Sequence, residues 1–107
     1  TDLPLLPHTL KRIAKRASIG LSKVGGYMGN GSGEVVIAFS TASTYPQNSE
    51  KSLLTTRYLH QNKIDTVFRA VAESIEESVL NSMITAEPVQ GFKDRKRDSL
   101  QNYIQLY

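Results

Sequence analysis

Apolar residues recur at helical spacing in two stretches of the chain and run without interruption in a third. The longest periodic stretch is Ile64, Val67, Phe68, Val71, Ile75, Val79 and Met83, which predicts a long amphipathic helix. Asn62 is placed to cap it, and Asp65 falls in the first turn, where the helix dipole favours an anion. Pro88 ends it near Ala86 or Glu87. An earlier stripe of Leu10, Ile13, Ala14, Ala17, Leu21 and Val24 predicts a helix from Pro7 to Val24. Pro7 suits its first turn, and Gly25-Gly26 stops it. The unbroken run is Val35 to Phe39, which reads as a strand buried on both faces.

The remaining segments are less periodic. Ala42 to Thr56 holds Pro46, Asn48 and many Ser and Thr residues and reads as a long connection. A short second strand is expected around Ser52 to Leu59. Gln90 to Arg97 is polar and basic. Asp98 to Tyr107 predicts a short terminal helix with Leu100, Tyr103, Ile104 and Tyr107 on one side. The class is therefore α/β, with a shortage of strands. A doubly buried strand needs hydrogen-bonding partners on both edges, and two amphipathic helices need a surface to cover. Either several copies build one sheet together, or another polypeptide completes it.

Composition narrows the class without naming a chemistry. At 107 residues the chain is one domain or a piece of one. It is 39% hydrophobic and 21% charged, ordinary for a globular protein. It has no cysteine, so disulfides, thiolate metal sites and cysteine nucleophiles are excluded. His8 and His60 lie far apart without nearby ligand partners, and no metal or other cofactor is expected. No apolar run is long enough to span a bilayer and no secretory leader is visible, so the expected setting is cytoplasmic, away from membranes. The net charge of +3 comes largely from Lys11, Arg12, Lys15, Arg16 and Lys23, with a second cluster at Lys93, Arg95, Lys96 and Arg97. No aromatic residues interleave with these bases, which favours a solvated surface over a nucleic-acid site.

The candidate chemistry lies in Gly29-Asn30-Gly31-Ser32-Gly33-Glu34, which leads into Val35. Residues two apart on a strand share a face. If the strand begins by Ser32, that hydroxyl and the Glu34 carboxylate point the same way, with glycines that admit another backbone or a substrate. By spacing alone the pair more readily describes a polar start to a strand. Phosphate loops run from strand into helix, whereas the order here is helix, loop, strand. Asn30-Gly31-Ser32 fits a glycosylation sequon and also a simple turn. Thr1 could serve as an N-terminal nucleophile, but no apolar strand follows it. Glu73, Glu76 and Glu77 read as the hydrated side of the long helix.

Together these segments resemble the β-aminopeptidase / L-aminopeptidase D-esterase family of serine aminopeptidases. The resemblance rests on Thr1-Asp2-Leu3-Pro4-Leu5-Leu6-Pro7, the helix Leu10 to Ala17 with Gly20-Leu21, Gly29 to Glu34, and Ala38-Phe39-Ser40-Thr41-Ala42. It continues through Asp65 to Glu87 and weakens from Phe92 onward. It implies a precursor that cleaves itself into an α chain and a smaller β chain. The β chain opens with a serine nucleophile on an apolar strand leading into the Thr-Asp-x-Pro-Leu segment. Residues 1–107 would then be a single C-terminal β-chain segment without that nucleophile.

The implied fold is a four-layer α/β/β/α sandwich, similar to N-terminal-nucleophile hydrolases and completed by the α chain. The implied chemistry is metal-free release of N-terminal residues, β- or D-amino acids among them, from short peptides, amides or esters. Ser32 matches the family's active-site serine and Glu34 its active-site glutamate. The resemblance also implies a homo-oligomer of αβ units. Two alternatives remain: an acyltransferase of the ornithine acetyltransferase type, which calls for a threonine nucleophile, and a non-catalytic interaction subunit that has lost the nucleophile.

Overall fold

A computed structural model of the chain describes residues 1–104. Helix α1 spans Pro7–Ala14 and α2 spans Ala17–Lys23, so the single helix expected from Pro7 to Val24 is broken. The break is a tightened turn at Lys15 and Arg16. The Arg16 N–H reaches back three residues to the Ile13 carbonyl (2.8 Å), and the Ser18 hydroxyl donates to the Lys15 carbonyl (2.8 Å). Side-chain bonds of this kind compete with the helical ladder. The break redirects the stripe, so that Ile13, Ala17 and Gly20 are buried while Ile19 is left exposed.

Helix α3 spans Ile64–Thr85, close to its expected bounds, with Asp65 in its first turn. Its start differs from expectation. Asn62 does not cap it, and Lys63 at its N-cap makes no side-chain bond; His60 instead caps the 3-10 turn Gln61–Lys63 that leads into α3, its Nδ1 accepting the Asn62 N–H (3.3 Å). The main packing joins α2 to α3. Gly20 makes that close approach possible, because a Cβ there would overlap the Ala72 carbonyl oxygen and lie 2.8 Å from Ile75 Cβ. The core under the helices gathers Leu5, Ile13 and Ile64, with Leu3, Leu10, Leu59, Val67, Phe68 and Val71 around them.

No strand is formed over Val35 to Phe39. The segment is extended but bare, with Val35 92% exposed, Ile37 84% and Phe39 67%. The expected burial on both faces is absent because nothing in these residues supplies the covering layers. Ser52 to Leu59 likewise forms no strand, although the Leu59 N–H bonds the Pro4 carbonyl (2.8 Å). The two-stranded sheet is elsewhere: β1 (Val89–Gln90) pairs antiparallel with β2 (Lys96–Arg97), Val89 opposite Arg97. The polar tract from Gln90 is thus a small hairpin, turned by Lys93 and Asp94, both at φ 57°. Helix α4 covers Gln101–Ile104; Tyr107, assigned to the same helix, lies outside the described residues.

The chain measures 61 × 32 × 29 Å, with a Cα radius of gyration of 19.3 Å. A compact chain of this length would have about 13 Å. The excess and the bare apolar segment share one cause, a core finished on the helix side only.

Candidate functional site

The site grows from the end of α2. Gly26 N–H bonds the Leu21 carbonyl (3.0 Å) and Gly25 N–H the Ser22 carbonyl (3.1 Å), the two bonds of a Schellman stop. Gly25 sits at φ 95°, a conformation that favours glycine. Lys23, on the last turn, reaches Glu76 of α3 at 2.8 Å. Its hydrogen bond to Glu76, together with that carboxylate's charge, raises the Lys23 pKa above the usual lysine value. The end of α2 is therefore tied to α3 where the glycine-rich loop begins.

The loop closes in a turn over Gly29 to Ser32. Ser32 N–H donates to the Gly29 carbonyl (2.9 Å), and the Ser32 hydroxyl is turned onto the same oxygen (3.2 Å). Asn30-Gly31 occupies the corner, the turn reading of that tripeptide. Ser32 thus ends a turn before the extended segment begins, and no hydrogen bond joins it to Glu34. Glu34 lines an open apolar groove of about 560 Å³ together with Ala17, Leu21, Val36, Ile75, Lys11 and Lys15. Both side chains are exposed.

The other sequence candidates fall elsewhere. Thr1 uses its hydroxyl to accept the Leu3 N–H (3.1 Å) and its amine to donate to the Phe39 carbonyl (3.2 Å). Glu77 accepts from Asn81 (3.2 Å), and Glu76 holds Lys23. His60 is the cap described above. No group of His, Asp and Glu among the described residues could hold a metal ion. No helix among them is long and apolar enough to cross a membrane.

One feature of the site had no local sequence signal. The Thr1 amine donates to the Phe39 carbonyl, and the Thr41 N–H donates back to the Thr1 carbonyl (2.9 Å). Bonding to the residues on either side of one neighbour is the parallel-ladder pattern, here with Thr1 beside Ser40. The Ser40 hydroxyl adds a bond to the Leu3 carbonyl at 2.5 Å. The extended segment is thus paired at its C-terminal end and open along Glu34 to Ala38. A second apolar groove, of about 650 Å³, runs from Thr1 and Leu3 along Val67, Ala70, Val71 and Ile75 of α3.

The chain matches the sequence profile of Peptidase family S58 over residues 1–97. It is 36% identical over 91 residues to the β-peptidyl aminopeptidase BapA of Sphingosinicella microcystinivorans, covering 85% of this chain and 23% of that protein. Among solved structures it superposes on the PH0078 protein of Pyrococcus horikoshii OT3 with a TM-score of 0.87 at 38% identity, over 98% of this chain and 30% of that one. It also superposes on the L-aminopeptidase D-Ala-esterase/amidase of Ochrobactrum anthropi, a serine aminopeptidase described as a variant of the Ntn hydrolase fold. That TM-score is 0.83 at 38% identity, over 99% of this chain and 32% of the other. Its fold is the α/β fold of the matching segments of those structures. The chain belongs to Peptidase family S58, and it spans about a quarter of the length of the curated relatives it matches.

Proposed function

We propose that this chain is the C-terminal segment of the small chain of a self-processing serine aminopeptidase, which releases N-terminal residues from short peptides, amides or esters. The observation that carries the reading is the parallel pairing of Thr1 with Ser40. A strand preceding Thr1 in the full protein would continue that register beside the open segment and over the α3 groove. Counting back from Ser40 to Gly33, a residue about seven positions before Thr1 would stand beside Gly33, between Ser32 and Glu34. The backbone of a serine there would lie between the two residues that the family resemblance nominates, with Gly33 leaving its approach unobstructed.

In this arrangement the serine hydroxyl attacks the substrate carbonyl, and its free α-amine takes the proton. An α-amine titrates near pH 8, close to the range a general base needs. The acyl–serine ester forms as the amine or alcohol leaves with a proton, and water then hydrolyses it. Ser32, turned from Gly29, orients the nucleophile or relays its proton. Glu34 holds the charged amine and tunes its pKa. The α chain of the same precursor supplies the oxyanion donors and most of the substrate pocket, in a homo-oligomer of αβ units.

The test is hydrolysis of α- and β-aminoacyl p-nitroanilides by the full-length protein, with N-acetylated versions as controls. Release from the free-amine substrates alone is expected. Equal release from the acetylated ones, or none from any, would contradict the aminopeptidase reading.

A further inference from the structure

Arg12 of α1 and Arg16 of the turn that follows it bring two guanidiniums to one aromatic ring. Arg16 lies 4.0 Å and Arg12 5.1 Å from the Phe68 ring centroid, each measured from the guanidinium carbon. Both are held by further bonds. Arg12 Nη1 donates to Gln61 Oε1 (2.6 Å), and Gln61 Nε2 donates to the hydroxyl of buried Thr9 (3.3 Å). Arg16 Nη1 donates to the Arg12 carbonyl (3.3 Å). The ring, Gln61 and the α1 backbone therefore fix two long side chains that would otherwise be mobile. Each guanidinium has five N–H donors, and these bonds use only one nitrogen of each.

The two charges are not neutralised within the described residues. No Asp or Glu occurs from Leu3 to Gly33, a span holding Lys11, Arg12, Lys15, Arg16 and Lys23. Of these five bases Lys23 alone is ion-paired among the described residues, through Glu76. Stacking on an aromatic face offsets part of the repulsion between two guanidiniums but leaves their edges open to an acceptor. Preorganised charged donors of this type bind carboxylate and phosphate oxygens.

We propose that Arg12 and Arg16, held on Phe68, form an oxyanion-binding site outside the Ser32–Glu34 region, taking a carboxylate or a phosphate group. The site stands independently of the peptidase reading. Its test is calorimetric titration of the full-length protein with inorganic phosphate and with glutarate, at ionic strength matched by chloride. Saturable binding of at least one is expected, weakened about tenfold or more in Arg16→Gln, the scale of one lost charge-assisted bond. Arg16→Lys, which keeps the charge and loses the fork, should weaken it severalfold, and Lys15→Gln should leave it unchanged. Phosphate binding alone identifies a phosphorylated ligand; glutarate binding alone identifies a carboxylate ligand. Binding of neither anion, equal affinity in a folded Arg12→Gln/Arg16→Gln double variant, or an equal loss in Lys15→Gln would overturn the site.

Discussion

Glu34→Gln and Ser32→Ala, each made in the full-length protein, are expected to lower kcat/KM by about 10²–10⁴-fold, the range that positioned proton-transfer groups contribute. The effect should fall on kcat, because neither residue is assigned a part in substrate binding. Assembly should be almost unchanged, since both side chains are exposed and lie outside the Leu5–Ile13–Ile64 core. Glu34→Gln keeps the size of the side chain and removes its charge, so it isolates the electrostatic role. Ser32→Ala removes one bond, from its hydroxyl to the Gly29 carbonyl, while the backbone bond of the turn remains. Steady-state kinetics beside size-exclusion profiles make the measurement. Full activity in both variants would remove the assigned roles.

Gly20→Val is expected to carry the largest stability cost in the helical layer, about 3 kcal/mol or more. Two effects compete there. Replacing glycine inside a helix with a residue bearing a Cβ normally helps, by up to about 1 kcal/mol for alanine. Here even the first added carbon overlaps the Ala72 carbonyl oxygen and sits 2.8 Å from Ile75 Cβ. Backbone cannot swing aside as a flexible side chain can, so α2 and α3 must separate, and overpacking of this kind typically costs ~1–3 kcal/mol. Valine adds two further carbons to the same contact. Gly20→Ala should destabilise less, with the same sign. Urea unfolding of the full-length protein measures both, and an unchanged midpoint in Gly20→Val would contradict the packing described.

Separating the helices would also reach the site. Leu21 and Ile75 line the Glu34 groove, and the Lys23–Glu76 pair ties α2 to α3 just before the loop. An exposed pair of that kind adds little stability on its own. The close approach at Gly20 is therefore the stronger determinant of where the loop starts.

Much of this was legible in the sequence because it depends on local rules. The three- and four-residue steps from Ile64 to Met83 gave α3 nearly to its ends, and Gly25-Gly26 gave the stop that the Schellman bonds carry out. What escaped the sequence depends on contacts between distant residues or on backbone strain. The apolar stripe runs unbroken through Lys15 and Arg16, so nothing in its spacing marked the tightened turn. Asn62 is the better capping residue by type, yet the His60 ring accepts its N–H first and the helix starts later. The β1–β2 hairpin turns on Lys93 and Asp94 at positive φ, without the glycine or asparagine that usually announces such a turn. Val35 to Phe39 reads in the sequence as a strand buried on both faces, yet it forms no strand and stays largely exposed, because no layer among the described residues covers it. The pairing of Thr1 with Ser40 spans almost 40 positions, a separation no local pattern reports.

The central claim is that these residues follow, within one cleaved precursor, a strand that begins with the nucleophile. An intact-mass spectrum under denaturing conditions, taken on the protein purified from its full gene, tests it most directly. The account predicts two fragments, the smaller containing residues 1–107 behind an apolar segment that opens with serine; in the parallel register a serine beside Gly33 would stand about seven positions before Thr1. A single uncleaved chain, or a cleavage that leaves some other residue at the new N-terminus, would contradict it.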